Sequence, residues 1–454
     1  MNTQGHNPTN PWIERDLSCL WHPYTQMKDC RRRPPILIES AQGLKLFDAD
    51  GNFYYDTISS WWCNVHGHGH PKIAAAIKRQ VESMDHILAA GFTHKLAICL
   101  AEKLVALAPE NLTRVFYSDN GSTAVETALK MSVQYWDNAG VRGKTKFVAL
   151  DLAYHGDTFG AMSVAGPTVF TKAFAPLLFD AFHVPTPYCY RCPVGKQKDS
   201  CQAECAGALE TTLREHSGEI AGVILEPLLM GAAGMIIYPP AYLQRAAALA
   251  RQYNVHLILD EVATGFGRTG TMFACEQARV SPDFLCLSKG ITGGTLPFAA
   301  TLTTEAIYAG FYDDYDKHKT LYHGHTYNAN PIGCAAALAG LEIFEQEKTL
   351  EKVQRMIPGY HRRLEALGSL PHIGDVRAIG MVGALEIVQD KETKEPFPVS
   401  ERIGLRLFEE GLKRNLVLRP MGNVTYLFLP LSTTERELAD ILDKFSETIT
   451  ETKL

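Results

Sequence analysis

Two stretches of sequence decide the fold: VHLILDE at residues 255–261 and DFLCLSKG at residues 283–290. Each contains a short apolar run without a polar face, which is typical of a strand buried on both sides of a sheet. Each run leads into a charged residue, Asp260 in the first stretch and Lys289 in the second. Both stretches therefore predict a buried strand with a reactive side chain at its exit.

A lysine and an aspartate at neighbouring strand exits indicate one cofactor, pyridoxal 5′-phosphate. The lysine would form a Schiff base with the cofactor aldehyde. The aspartate would pair with the pyridinium nitrogen and keep it protonated, so that the ring can accept electrons. The sequence therefore predicts Lys289 and Asp260 as catalytic residues.

The middle of the chain alternates apolar runs with helical patterns. Further apolar runs lie at residues 115–118, 147–150, 222–226 and 298–302, and helical patterns lie at residues 122–136, 206–216 and 241–253. This alternation predicts an α/β fold with a mainly parallel sheet, in which ligands bind at the carboxyl ends of the strands.

The pattern changes near residue 332, where a long helical stretch (333–367) leads into shorter alternating segments. We expect three parts: residues 1–65, an N-terminal segment that packs with the small domain; residues 66–335, a large cofactor-binding domain; and residues 336–454, a smaller α+β domain.

Composition excludes several classes of protein. The 454 residues carry a net charge of −6 with a pI of about 6.2, which argues against a nucleic-acid partner. No apolar run approaches the ~18 residues of a membrane span, and the polar first 11 residues lack the apolar core of an export signal. We expect a soluble, cytoplasmic protein.

The segment DNGSTAVE at residues 119–126 follows a predicted strand and opens a predicted helix. Small residues such as Gly121 and Ser122 let the backbone approach an anion, and a helix N-terminus favours phosphate. An ordinary helix cap is the alternative.

Tyr154 follows another strand and suits stacking on a pyridine ring, although a packed loop tyrosine would look the same. Thr326 precedes a long helix and suits either a phosphate contact or a cap.

The chain resembles the class III aminotransferases of PLP fold type I. The resemblance rests on LDEVATGFGRTG at residues 259–270 followed by SKG at residues 288–290, and it extends from about Trp21 to Pro430. It implies a large domain with a mainly parallel central sheet and a smaller α+β domain built from both termini.

Within that class the chain is most similar to the adenosylmethionine–8-amino-7-oxononanoate aminotransferases of biotin synthesis. Four motifs carry this similarity: WHPYTQM at 21–27, SSWW at 59–62, YHGD at 154–157, and Arg419-Pro420 with Tyr426 beyond. The resemblance implies conversion of 8-amino-7-oxononanoate to 7,8-diaminononanoate, with S-adenosyl-L-methionine as amino donor.

The resemblance also implies roles for individual residues. Catalysis is assigned to Lys289, Asp260 and Tyr154; cofactor binding to Gly121, Ser122, Tyr154, His155, Asp260, Lys289, His325 and Thr326; and substrate binding to Tyr24, Trp61, Trp62, Tyr154, Lys289, Gly324 and Arg419. Family members use the loop of His325 and Thr326 to bind the phosphate of the neighbouring subunit, so a homodimer is expected.

The identity of the amino donor has two alternatives, S-adenosyl-L-methionine and L-lysine. His325 stands where the family often has proline, and some relatives with histidine there use L-lysine as donor. This chain keeps Tyr24, Trp61 and Trp62, whose aromatic faces attract a sulfonium cation, which favours adenosylmethionine. The remaining alternatives are another class III ω-aminotransferase, an aminomutase and a PLP-binding pseudoenzyme.

Two further patterns resemble metal sites. Cys189, Cys192, Cys201 and Cys205 come close to structural zinc spacing, and HGHGHP occupies residues 66–71. For the cysteines, a metal, a disulfide and reduced thiols remain alternatives; for the histidines, a turn into the large domain is the simpler interpretation. We expect no bound metal.

Overall fold

The computed structural model describes residues 10–197 and 200–453. Most of the polar N-terminal segment, residues 1–9, lies outside the described residues, as do two positions of the cysteine-rich segment and the last residue.

The strands of the described chain form one large sheet and smaller ones. They are β1 (Ile38–Gln42), β2 (Lys45–Asp48), β3 (Phe53–Tyr55), β4 (Leu112–Ser118), β5 (Lys146–Leu150), β6 (Phe182–Val184), β7 (Ile220–Leu225), β8 (Leu229–Met230), β9 (Ile236–Ile237), β10 (His256–Asp260), β11 (Phe284–Leu287), β12 (Ala299–Thr304), β13 (Ile373–Ile379), β14 (Val382–Asp390), β15 (Glu395–Pro396) and β16 (Val424–Phe428). Within the described residues the large sheet has the order β4-β12-β11-β10-β7-β5-β6. The pairs β10–β11, β10–β7, β5–β7 and β5–β6 are parallel, whereas β12 runs antiparallel to both neighbours. The predicted mainly parallel sheet is confirmed.

Helices cover both faces of this sheet. The helices of the described chain are α1 (Pro11–Cys19), α2 (Met27–Cys30), α3 (Ser59–Trp62), α4 (Pro71–Ser83), α5 (Lys95–Leu107), α6 (Gly121–Asn138), α7 (Phe159–Ser163), α8 (Gly207–His216), α9 (Pro240–Gln252), α10 (Glu305–Ala309), α11 (Pro331–Gln346), α12 (Thr349–Leu367), α13 (Ile403–Lys413) and α14 (Glu435–Glu451). Ile258 packs with α6 on one face, while Leu257 and Leu259 pack in a cluster with α8 and α9 on the other. This two-sided burial explains why β10 has no polar face.

The N-terminal strands pack against the C-terminal part of the chain. The Tyr55 N–H donates to the Asn415 carbonyl (2.7 Å), and the Val417 N–H donates to the Tyr55 carbonyl (3.0 Å). In this C-terminal part, an antiparallel sheet is formed by strands β13, β14, β15 and β16. The division into residues 1–65, 66–335 and 336–454 stays a prediction.

One predicted element is divided. The helical stretch expected over 333–367 breaks between α11 and α12, where Lys348 adopts a left-handed conformation (φ 51°). The reason is a change of environment: α11 is apolar and packs on α4 and α5 of the large domain, whereas the amphipathic α12 packs on β13. In the described ranges, no helix is long and apolar enough to cross a membrane.

Candidate active site

Strand order brings the two predicted catalytic residues to one edge of the sheet. Asp260 ends β10 and pairs in register with Cys286 of the parallel strand β11, so Lys289 follows three residues further on at the same edge. Burial lowers the pKa of the Lys289 amine, although the nearby Asp260 and Glu226 carboxylates oppose this effect. A lowered pKa makes the neutral, nucleophilic amine more available.

Asp260 is a buried carboxylate with defined partners. Its Oδ1 accepts the Val262 N–H (3.0 Å), and its Oδ2 lies 2.7 Å from His155 Nδ1. The His155 Nε2 is buried and has no hydrogen-bond partner among the described residues. The imidazole therefore fixes the carboxylate on one side.

A cavity of about 500 Å³ lies above these strand ends. Its lining includes Gly121, Ser122, Tyr154, His155, Asp260 and Lys289. These six residues therefore lie together in the structure, and their roles stay a prediction.

The start of α6 forms one wall of this cavity and admits only small residues. A Cβ on Gly121 would lie 2.5 Å from the Val262 side chain. A Cβ on Gly156, whose φ is +127°, would lie 2.0 Å from the Ser122 hydroxyl oxygen. Packing against Val262 and Ser122 therefore excludes a side chain at both glycines, and the N-terminus of a helix such as α6 is a favourable place for an anion.

Glu226 is a buried carboxylate at the same edge. It accepts N–H groups from Tyr154 (3.1 Å) and Gly231 (3.0 Å), and burial raises its pKa to about 7. Its position was visible in the sequence as a strand exit, but no motif assigned it a role. In the structure it fixes the backbone of Tyr154 beside the cavity.

A second cavity, of about 840 Å³, adjoins the first and is lined by six of the seven predicted substrate residues. Its lining includes Tyr24, Trp61, Trp62, Tyr154, Lys289 and Arg419. Lys289, Tyr154 and Trp62 line both cavities, which places the amine between them.

Arg419 lies against an aromatic wall of the larger cavity. Its guanidinium carbon is 4.0 Å from the centroid of Trp61. Among the described residues, no carboxylate lies within salt-bridge distance of Arg419. A structural salt bridge, the simplest alternative role for this arginine, is therefore not observed.

Two residues of the larger cavity were not assigned from the sequence. Asp157 accepts the Tyr24 hydroxyl (2.6 Å), and burial together with this bond raises the pKa of Tyr24 to about 12. Phe170 contacts Tyr24 edge-on, with ring centroids 5.6 Å apart. Asp157 belongs to the YHGD motif at residues 154–157, whereas Phe170 lies in a loop in which no sequence motif marks a binding residue.

The loop expected to contact phosphate lies elsewhere in the single chain. The linings of the two cavities do not include Gly324, His325 or Thr326 in the described part of the chain. Thr326 is exposed, and His325 Nδ1 lies 2.7 Å from Asp119 Oδ2. The one-chain structure therefore does not bring this loop to its own cofactor cavity.

The structure shows where the residues of the two metal-like patterns lie. Cys189, Cys192, Cys201 and Cys205 all line one small cavity. Among the described residues, no group of three or more His, Cys, Asp or Glu side chains is placed to hold a metal ion. His68 instead contacts Asp56.

Comparison with known proteins places this geometry in a family. Residues 27–449 match the family described as "Aminotransferase class-III". The chain belongs to the class III aminotransferase family. The resemblance inferred from the motifs is confirmed.

Several class III relatives carry one enzyme name. The adenosylmethionine-8-amino-7-oxononanoate aminotransferase of Geobacter sulfurreducens is 45% identical over 439 residues, which cover 96% of this chain and 97% of the relative. The crystal structure of the enzyme of that name from Methanocaldococcus jannaschii has a TM-score of 0.92 at 45% identity, covering 98% and 99% of the two chains. An amine transaminase from an uncultivated Pseudomonas species, solved in its PLP-bound form, has a TM-score of 0.91 at 33% identity, covering 96% and 99%.

The residues of the smaller cavity fit pyridoxal phosphate. The unpartnered His155 Nε2, the glycine-lined start of α6 and the amine of Lys289 provide a polar contact, an anion site and a nucleophile. The Asp260 carboxylate supplies the charge that a pyridinium nitrogen needs. All four features converge on one cavity large enough for the cofactor.

Proposed function

We propose that this aminotransferase transfers the amino group of S-adenosyl-L-methionine to 8-amino-7-oxononanoate, giving 7,8-diaminononanoate for biotin synthesis. Pyridoxal 5′-phosphate is the cofactor. The observation that carries the proposal is the unpaired Arg419 in an aromatic cavity that opens onto Lys289. An acceptor with a long apolar chain and a distal carboxylate needs this combination.

The residues of the smaller cavity have distinct tasks. Lys289 binds the cofactor and moves a proton to and from the substrate. Asp260 keeps the adjacent ring nitrogen protonated, and its contact with His155 holds its orientation. Gly121 and Ser122 hold the phosphate at the start of α6. The cofactor supplies an aldehyde and an electron-accepting ring.

The larger cavity suits both substrates in turn. Arg419 offers a planar, permanent cation to a carboxylate. Tyr24, Trp61 and Trp62 offer aromatic faces, and the nearby Asp157 adds a negative charge. Aromatic faces and a carboxylate attract a sulfonium group, which supports adenosylmethionine as the donor.

We place the enzyme in the cytoplasm as a homodimer. Thr326 is exposed and lies outside the cofactor cavity of its own chain, which supports a contact of this loop with a partner subunit. An isologous dimer is the commonest closed assembly and would give each site the same second-chain contribution.

The amino donor is tested by half-reactions with each compound offered alone. Adenosylmethionine is expected to abolish the visible absorbance of the cofactor-loaded enzyme in a single turnover, and 8-amino-7-oxononanoate should then restore it. Lysine offered alone should leave the visible absorbance unchanged. If lysine bleaches the cofactor and adenosylmethionine does not, the donor is wrong while the acceptor still stands.

Arg419→Ala tests the acceptor site. This variant is expected to lower kcat/KM for 8-amino-7-oxononanoate by about 100-fold, because the substrate carboxylate would lose the guanidinium proposed to bind it. Cofactor affinity should stay unchanged. The matched control is Arg414→Ala, which removes an arginine paired with Glu410 on α13. Equal losses in the two variants would contradict the assignment.

A further inference from the structure

The loop that carries the two tryptophans has an unusual backbone. We refer to residues 59–62 as the tryptophan loop, because the short helix α3 that they form has non-helical torsion angles at Ser60 and Trp61. Ser59, Ser60 and Trp62 have φ values of 52°, 59° and 64°, and Ser60 combines its φ with a ψ of −88°. Non-glycine residues rarely adopt such conformations, which persist only when the surrounding structure imposes them. Three of them in four residues call for a functional explanation.

This backbone brings two consecutive side chains to one cavity. The Trp61 ring lies 4.0 Å from the Arg419 guanidinium carbon, and the Trp62 ring lies 5.3 Å from Lys289 Nζ. In a regular strand, neighbouring side chains point to opposite faces. The irregular course of the loop therefore allows neighbouring indoles to contact the two functional cations of the site.

One buried carboxylate holds the middle of the loop. Asp56 accepts the Ser60 N–H with both oxygens, at 2.8 and 2.7 Å, and its Oδ2 also accepts the Ser60 hydroxyl at 3.2 Å. Oδ2 lies 2.8 Å from His68 Nε2 as well. Asp56 is fully buried, so its oxygens are satisfied by these protein groups. The carboxylate is therefore bound to the most strained residue of the loop.

We propose that Asp56, supported by His68, is a positioning residue for substrate binding: it holds Ser60 in its strained conformation and so places Trp61 and Trp62. The identity of the substrates rests on the proposed function, but the placement of the indoles does not. This role also accounts for the central histidine of the HGHGHP tract, whose ring faces a carboxylate.

The test compares Asp56→Ala with the double variant Asp56→Ala/Ser60→Gly. Loss of the carboxylate should let Ser60 relax and displace both indoles, raising KM for each substrate about tenfold while kcat changes less than about threefold. Glycine adopts a positive φ without steric cost, so the double variant should return KM to within about threefold of the wild type.

The matched control is Asp48→Ala. Asp48 is also buried in the N-terminal sheet and accepts N–H groups of Asp50 and Asn52, but it has no bond to the tryptophan loop. The Asp48→Ala variant should have lower thermal stability than the wild type and an unchanged KM for each substrate. Equal KM effects in both alanine variants, or no recovery in the double variant, would overturn the proposal. If Asp56→Ala does not fold, Asp56→Asn, which keeps one acceptor oxygen, replaces it in the same comparison.

A second measurement does not depend on the substrates. Pyridoxal phosphate should quench tryptophan emission in the wild type and in Asp48→Ala, because Trp62 lines the cofactor cavity. Asp56→Ala should show weaker quenching at full cofactor occupancy, with recovery in the double variant. Unchanged quenching in Asp56→Ala would refute the inference. If the wild type converts neither proposed substrate, the proposed function fails while this comparison still decides the positioning role.

Discussion

Lys289→Ala is expected to reduce turnover by at least about 10³-fold while the protein still folds. In the proposed function the amine both binds the cofactor covalently and moves the substrate proton, so its removal should disable two functions at once. No other lysine lines the two cavities in the described chain. Borohydride reduction of the cofactor-loaded wild type, followed by peptide mapping, should label Lys289 alone.

Lys144→Ala is the matched control for this prediction. Lys144 is also buried and also has its pKa lowered by burial, but its amine lies over Trp136, away from both cavities. Turnover should be close to wild type in this variant. A borohydride label on a lysine other than Lys289 would end the assignment.

The strand exits could be predicted because two independent signals coincide there. Residues 255–261 and 283–290 show both the burial pattern of central strands and a charged residue at the exit. Parallel pairing then places Asp260 and Lys289 at the same edge. The proposed phosphate contact of Gly121 and Ser122 could be predicted for a similar reason, since small residues follow a strand there and open a helix.

Other parts of the site depend on contacts between distant segments. Ser59 and Ser60, which both have positive φ values, donate hydrogen bonds to Phe428 and Asp56 respectively. Local propensity cannot predict the contact with Phe428, which is distant in the sequence. Phe170 reaches Tyr24 through a loop without regular structure. The break at Lys348 reflects a change of packing partner, although the helical pattern continues across it. Local sequence therefore predicts the edge of the sheet better than the walls of the cavity.

Asp260→Asn is expected to slow both half-reactions by about 10²- to 10³-fold with little change in cofactor affinity. Asparagine keeps the shape of the side chain and can still accept the Val262 N–H, but it loses the negative charge that favours a protonated ring nitrogen. The electron-accepting capacity of the ring should fall, while the phosphate and Lys289 still hold the cofactor. Single-turnover absorbance with each substrate measures the effect.

Asp283→Asn separates this electronic role from the general cost of losing a buried carboxylate. Asp283 lies at the opposite end of β11 and accepts the Leu257 N–H at 2.7 Å, far from the strand exits. Its replacement should lower thermal stability and leave single-turnover rates within about twofold of wild type. Because both variants exchange a carboxylate for an amide on the same sheet, only a charge acting on the cofactor ring predicts a slow half-reaction in Asp260→Asn alone. A wild-type rate in that variant would show that the carboxylate does not set the protonation of the ring.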